Sequence, residues 1–174
     1  MRLRIQLVPK RLFERSLREA LGKARWDKLR RKLMETNGAH CEICGNTDRL
    51  HGHEVWAYRD KKGAATALLL RVQIICIDCH DIRHFARTTR LFQAGIISPE
   101  RYSALRKHFR KVNGCRQRDF DEHFARALRT WAARSKKQWK IDWGDFRAQV
   151  DVAKAARAKW AQAHAPKMTN TEFA

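Results

Sequence analysis

The 174-residue sequence has no run of about 18 consecutive apolar residues, so no segment of it reads as a membrane-crossing helix. Its opening stretch, MRLRIQLVPKRLF, is interrupted by charges and too poor in apolar residues for a signal peptide, and neither a lipid-anchor motif nor a clean apolar helix face accompanies it. No membrane partner is expected, and the expected location is the cytoplasm. Acidic residues are scarce, 18 Asp and Glu against 38 Lys and Arg, which leaves a formal charge of +20. Such an excess repels itself unless a polyanion neutralises it, and nucleic acid is the simplest polyanion. Internal repeats and low-complexity blocks are also missing. The length suits one compact unit with helical additions rather than two ordinary domains.

What is present is concentrated. Residues 39 to 84 hold five of the eight histidines and four of the five cysteines. Thiols stay reduced in a cytoplasmic protein, so metal binding explains these cysteines better than disulfides do. Cys41 with Cys44, and Cys76 with Cys79, form two CxxC pairs, while Cys115 stands alone. Each pair can fold as a tight knuckle aiming two sulfurs at one ion, and two knuckles complete a closed tetrahedral zinc site. A closed site is structural, and it supplies folding free energy to a segment with few apolar residues.

Around this segment the periodicity is helical. Residues 2 to 8 alternate apolar and polar, which predicts a short strand before Pro9. Leu17, Leu21, Trp26, Leu29 and Leu33 predict a basic amphipathic helix from Ser16 to about Glu35, stopped by Asn37-Gly38. Gly45-Asn46 and Lys61-Lys62-Gly63 read as turns. A helix is predicted from Asp81 to about Ala94, and another is capped by Ser98-Pro99-Glu100 and ends near Asn113-Gly114. Phe120, Phe124, Leu128 and Trp131 stripe a further helix, with Trp139 and Trp143 expected to pack beside it. Residues 145 to 163 read as helix, and the tail from Pro166 is expected to fray.

Between the knuckles lies Leu50-His51-Gly52-His53-Glu54-Val55-Trp56, and the second knuckle runs into Cys79-His80-Asp81-Ile82-Arg83-His84. These two stretches bracket a hairpin. His80 and His84 are spaced to face the same way on a helix that starts at the knuckle, and His51 and His53 share one strand face. Several imidazoles can therefore converge on one cleft and hold a second cation.

Residues 39 to 88 resemble the HNH endonucleases, the ββα-metal or His-Me finger group, in the version with zinc knuckles around the motif. The resemblance implies a ββα-metal core around the four-cysteine zinc site; with the flanking basic amphipathic helices read from periodicity, the expected fold is α+β and mostly helical. Residues 1–38 would pack as strand and basic helix on a 39–94 nuclease core, followed by a helical extension over 95–165 and a flexible tail over 166–174. The resemblance also implies hydrolysis of DNA, expected to be double-stranded, by one divalent ion: magnesium, or another such as manganese or nickel.

Within the motif the family has a metal ligand followed by the general base. If His53 fills the first position it is a ligand and Glu54 inherits the base role; shifted by one residue, His53 is the base with Gly52 at the ligand position. His53 is favoured as base, because a near-neutral imidazole needs no adjustment, whereas the Glu54 carboxyl would have to be raised. With His53 as base, His80 and His84 hold the ion with His51 or Glu54 as a third ligand; with Glu54 as base, His53 is that third ligand. The family's middle Asn is missing, and Gln73 is the candidate substitute.

Arg83, Arg87 and Arg90 follow with no acidic residue between Asp81 and Glu100, and are expected to contact DNA phosphates. Arg101, Arg106, Lys107, Arg110, Lys111 and the N-terminal basic helix can extend the groove. Trp56 and Tyr58 are expected to pack, and Cys115, His40, His108, His123 and His164 carry no expected role. A zinc-stabilised nucleic-acid-binding module without turnover is the rival reading, and RNA is the rival substrate. Monomer and homodimer both remain open.

Overall fold

The computed structural model describes residues 1–61 and 64–164. The fold is α+β: helices surround a three-stranded sheet of order β1-β2-β3. β1 (Leu50–Lys61) and β2 (Ala64–Cys76) pair antiparallel as the expected hairpin. Of the expected turn, Lys62 and Gly63 lie outside the described residues. The register sets Leu50 opposite Cys76, Gly52 opposite Ile74 and His53 opposite Gln73, with a bulge between Val55 and Trp56. β3 (Lys140–Asp142) joins β2 in parallel, so β1 is left as a free edge. Nothing in three residues of sequence announces this strand. It forms because Trp139 and Trp143 on either side are buried, 6% and 8% exposed, and pin the chain to the sheet. Trp139 packs edge-on against Tyr58, and Trp143 lies against Trp56. These two indoles therefore cover the sheet; Trp139 touches the neighbouring helix through a bond from its Nε1 to the Arg134 carbonyl.

The predicted helix from Ser16 is two helices. Ser16 caps α1 (Leu17–Leu21), its hydroxyl accepting from the Glu19 N–H, and Gly22 at φ 80° ends it before α2 (Lys23–Asn37) begins. Only glycine takes that left-handed φ without strain. The predicted 81–94 helix is also two, α3 (Ile77–Arg83) and α4 (Phe85–Gln93), because His84 leaves the helical region at φ −100°, ψ 35°. α5 (Pro99–Asn113) starts at the Ser98 cap and stops at Gly114 as its sequence signals require. α6 (Gln117–Ser135) and α7 (Arg147–Ala163) complete the chain, and the tail from Pro166 lies outside the described residues.

Residues 2 to 8 alternate as expected, with Leu3 and Ile5 buried, but they do not form a strand. Helix side chains take the place of a sheet partner: Asn113 bonds both the N–H and the carbonyl of Leu3, and His123 Nε2 accepts from the Ile5 N–H. The Gln6 N–H donates to the Arg83 carbonyl. His123 thus has a structural use that its sequence position did not reveal.

Three apolar clusters pack on the hairpin, the smallest of them Leu12, Ala65, Ala67 and Trp139; the two larger flank its first residues. One joins Leu3, Ile5, Ile43, Ile75, Ile82, Phe85, Phe109 and Phe120 with three of the paired cysteines. The other joins Leu17, Leu21, Trp26, Leu69, Val72, Trp143 and Val150, and docks α1, α2 and α7 on the sheet. The hairpin end carrying His51 and His53 lies between them. No helix among the described residues is long and apolar enough to cross a membrane.

Candidate functional site

The first knuckle is a tight turn. The Cys41 carbonyl accepts from the Gly45 N–H at 2.8 Å, the Cys41 N–H donates to the Asn46 carbonyl at 2.7 Å, and Gly45 takes the left-handed φ of 83° this path requires. Cys76 ends β2 as the N-cap of α3, which carries Cys79. Leu50 opposite Cys76 and the bond from the Glu42 N–H to the Ile74 carbonyl bring the knuckles together. The four sulfurs lie within 4.8 Å of one another, and all the cysteines are free.

The donor set fits zinc. Cys44 Sγ and Cys76 Sγ are 3.6 Å apart, close to the edge of about 3.8 Å expected for a tetrahedron with metal–sulfur bonds of about 2.3 Å. Hydrogen bonds from the Cys76 and Cys79 thiols hold Cys41 well below the usual thiol range, and the same bonds push those two upward, Cys76 to about 12. Binding a metal would release the thiol protons that the cluster otherwise holds. His108 on α5 adds a ring nitrogen 3.4 Å from Cys79 Sγ.

A second cluster sits beside this knot. His53, His80 and His84 each offer a ring nitrogen, all within 4.8 Å of one another. The ring centroids are 5.7 Å apart for His53 and His80, 5.0 Å for His53 and His84, and 4.8 Å for His80 and His84. His80 and His84 reach the same point because α3 separates them by one turn. His53 reaches it from the strand that runs past. His51 stacks on His80 at 5.2 Å but is not one of the three. The four imidazoles expected to converge do converge, three as a potential ligand set and His51 beside them.

Burial decides their charge. It pulls the His53 pKa well below the usual imidazole value, with the His84, Arg83 and His80 charges adding to the effect. Burial also takes His80 to about 4 and His84 to about 3. His51 is lowered by burial and then by Arg30. The cluster is therefore neutral at physiological pH, the form in which an imidazole nitrogen has a lone pair to give a metal. His53 is 5% exposed, and its Nε2 is buried without a hydrogen-bond partner. A buried acceptor or donor left alone is costly, and a cation shared with His80 and His84 would satisfy it.

The cluster opens into a cleft of about 400 Å³ along the free edge of β1. α2 supplies Trp26, Asp27 and Arg30 to one wall, and Glu54 and Trp56 line the strand side. Glu54 accepts from the Arg18 N–H at 3.2 Å and from Trp56 Nε1 at 3.1 Å, one bond to each oxygen. Burial pushes its carboxyl upward against the pull of those two donors. No protein-family model, curated protein or solved structure matches the chain. The site is read from its own geometry.

The expected phosphate contacts separate. Arg87 and Arg90 are exposed, and among the described residues no carboxylate is paired with either. Arg83 is corrected: it is 6% exposed, and its guanidinium bonds Gln6 Oε1 and Gln73 Oε1. It is enclosed because α3 turns that face inward, against β2 and the N-terminal segment, so it has no path to a polyanion. Gln73 lies opposite His53 in the register, and its side-chain oxygen is committed to Arg83. Arg101 is bound to Asp78 and Asp81 at 2.6 and 2.9 Å and joins α5 to α3. Trp56 and Tyr58 pack on Trp143 and Trp139 as expected while also lining the cleft.

Sequence reasoning gave His108 no role and named the N-terminal basic helix only as a whole, without singling out Arg30. Arg30 had a usable signal, standing one helical turn beyond Trp26 on the face that α2 presents to the strand.

Proposed function

We propose that the chain is a divalent-cation-dependent endonuclease of the HNH type, with β1, β2 and α3 as its ββα-metal unit, hydrolysing phosphodiester bonds in DNA. The observation that carries this reading is the convergence of His53, His80 and His84 on one point, with the His53 Nε2 orphaned there, at the end of an open cleft in a chain of charge +20. A binding module has no need of three neutral imidazoles gathered beside a zinc knot.

His53, His80 and His84 would hold the divalent ion, magnesium or another such as manganese or nickel, and Cys41, Cys44, Cys76 and Cys79 the structural zinc. When bound, the ion supplies Lewis-acid stabilisation of charge on the scissile phosphate and on the leaving 3′ oxygen. With His53 as a ligand, the base position passes to Glu54. Its carboxyl is raised by burial and oriented by Arg18 N–H and Trp56 Nε1, so it can accept the proton of an attacking water. His51 stays neutral beside His80 and bounds the water side of the cleft. Arg87 and Arg90 meet phosphates without reading bases. The products are a 5′ phosphate and a 3′ hydroxyl, and defence, restriction or DNA processing in bacteria or phage is the setting that fits.

The test is nicking of supercoiled plasmid with magnesium or manganese. His53→Ala and His80→Ala are expected to abolish it while zinc stays at one per chain. A second reading rests on Glu54: both its oxygens already accept N–H donors, and a carboxylate held that way suits a binding module without turnover. Zinc-replete wild type that fails to nick whichever divalent ion is added decides for that module.

A further inference from the structure

We propose that Arg30 is a fixed phosphate anchor, binding a backbone phosphate of the nucleic acid in the cleft beside the histidine cluster. The proposal rests on the nuclease reading for its substrate class, and its own test does not depend on turnover.

The argument begins at Gly52, between His51 and His53. A Cβ at this position would stand 2.8 Å from Trp26 Cζ2, so the absence of a side chain lets the α2 indole lie directly on the backbone of β1. That close approach fixes α2 against the strand. One turn later, Arg30 projects from the same face and lines the same cleft as His51, His53, His80 and His84. Its Nη1 donates to the Leu50 carbonyl at 3.1 Å, which orients the guanidinium plane at the residue preceding His51.

The remaining donors are uncommitted. Arg30 Nε is buried with no hydrogen-bond partner, and among the described residues no carboxylate is within ion-pair distance of Arg30. The acidic groups nearby are spoken for: Asp27 is paired with Lys23 at 2.7 Å, and Asp81 with Arg101 at 2.9 Å. A half-buried guanidinium held by one backbone carbonyl, lining a cleft with its Nη2 unpartnered, can reach a phosphodiester oxygen through that end of its fork. A purely structural clamp of α2 to β1 would need only the Leu50 bond.

The experiment measures binding of a fluorescein-labelled DNA duplex by anisotropy across a salt series, with zinc-loaded full-length protein and no other divalent ion. Arg30→Gln is compared with Arg31→Gln, which removes the same charge from the exposed side of the same helix. Arg30→Gln is expected to weaken binding about tenfold and to reduce the slope of log affinity against log salt by about one. Arg31→Gln is expected to change affinity less than about twofold. Equal effects of the two overturn the anchor. If Arg30→Gln does not fold, Arg30→Lys decides: it keeps the charge and a donor for Leu50, so an anchor predicts an unchanged slope with weaker binding, and wild-type affinity overturns the proposal. A wild type that binds steeply but never nicks removes the nuclease and leaves the anchor. A wild type that nicks while both Gln variants bind alike removes the anchor alone, and one that binds no duplex removes both.

Discussion

Gly52→Ala tests the contact on which the geometry of the cleft depends. The new Cβ would lie 2.8 Å from Trp26 Cζ2, 3.3 Å from Cη2 and 3.5 Å from Val72 Cγ1. Ordinary carbon contacts are about 3.5–4.0 Å, so the indole must retreat by roughly 1 Å. It has little room, since Trp26 is 7% exposed and is packed with Leu69, Val72 and Trp143, while Gly52 is held in register with Ile74. Overpacking of this kind costs about 1–3 kcal/mol. Replacing a strand glycine regains about 0.5–1 kcal/mol. The expected net loss lies between about 0 and about 2.5 kcal/mol, centred on about 1 kcal/mol, or roughly 2–4 °C in Tm for a chain of this size. The assay is thermal unfolding of zinc-loaded protein, repeated in a Trp26→Phe background, where the shorter ring clears the Cβ and the cost of Gly52→Ala is expected to fall close to zero. An equal cost in both backgrounds would refute the idea that the indole occupies the space above Gly52.

Other outcomes follow from the same structure. His80 and His84 titrate at about 4 and about 3 in the fold, against about 6.5 in the unfolded chain. The unfolded chain therefore takes up protons first, so stability is complete above about pH 6.5 and is lost as the pH falls toward those folded values. Without added divalent ion, Tm is expected to drop between pH 7 and pH 5, and an unchanged Tm would contradict the burial of the cluster. Glu54→Gln keeps the shape and the acceptor that meets Arg18 but cannot take up a proton; nicking is expected to fall at least about a hundredfold with zinc content and duplex binding unchanged. Arg83→Met strands the Gln6 and Gln73 side-chain oxygens, so urea unfolding is expected to show a loss of about 1–3 kcal/mol, with the salt slope of duplex binding unaltered. His108→Phe removes the ring nitrogen beside Cys79 Sγ, and zinc transfer to a colorimetric chelator is expected to run several-fold faster.

The chemistry that can be written in spacings was legible from the residues alone. Two CxxC pairs specify four sulfurs, because each knuckle is a local turn whose geometry three or four residues determine. His80 and His84 face one way because a helix repeats near that interval, and Ser98 with Gly114 sets the limits of α5 by capping chemistry that involves only neighbours. Local interactions decide such features, so local sequence carries them. The alternation of residues 2 to 8 was equally readable, but not its partner, since a period of two says which side chains turn inward and nothing about what they meet.

Tertiary structure decided the rest. It brought His53 from a strand to His80 and His84 on a helix, turned Arg83 inward while leaving Arg87 and Arg90 in water, and laid Trp26 on Gly52 so that Arg30 reached the cleft. It also split two predicted helices at Gly22 and His84 and added β3 between two buried indoles. Each of these depends on which surfaces pack together across long stretches of chain, and burial then determines which imidazoles stay neutral and which cations remain free. A periodic pattern has no access to that, because the free energy of a buried group is set by its neighbours in space.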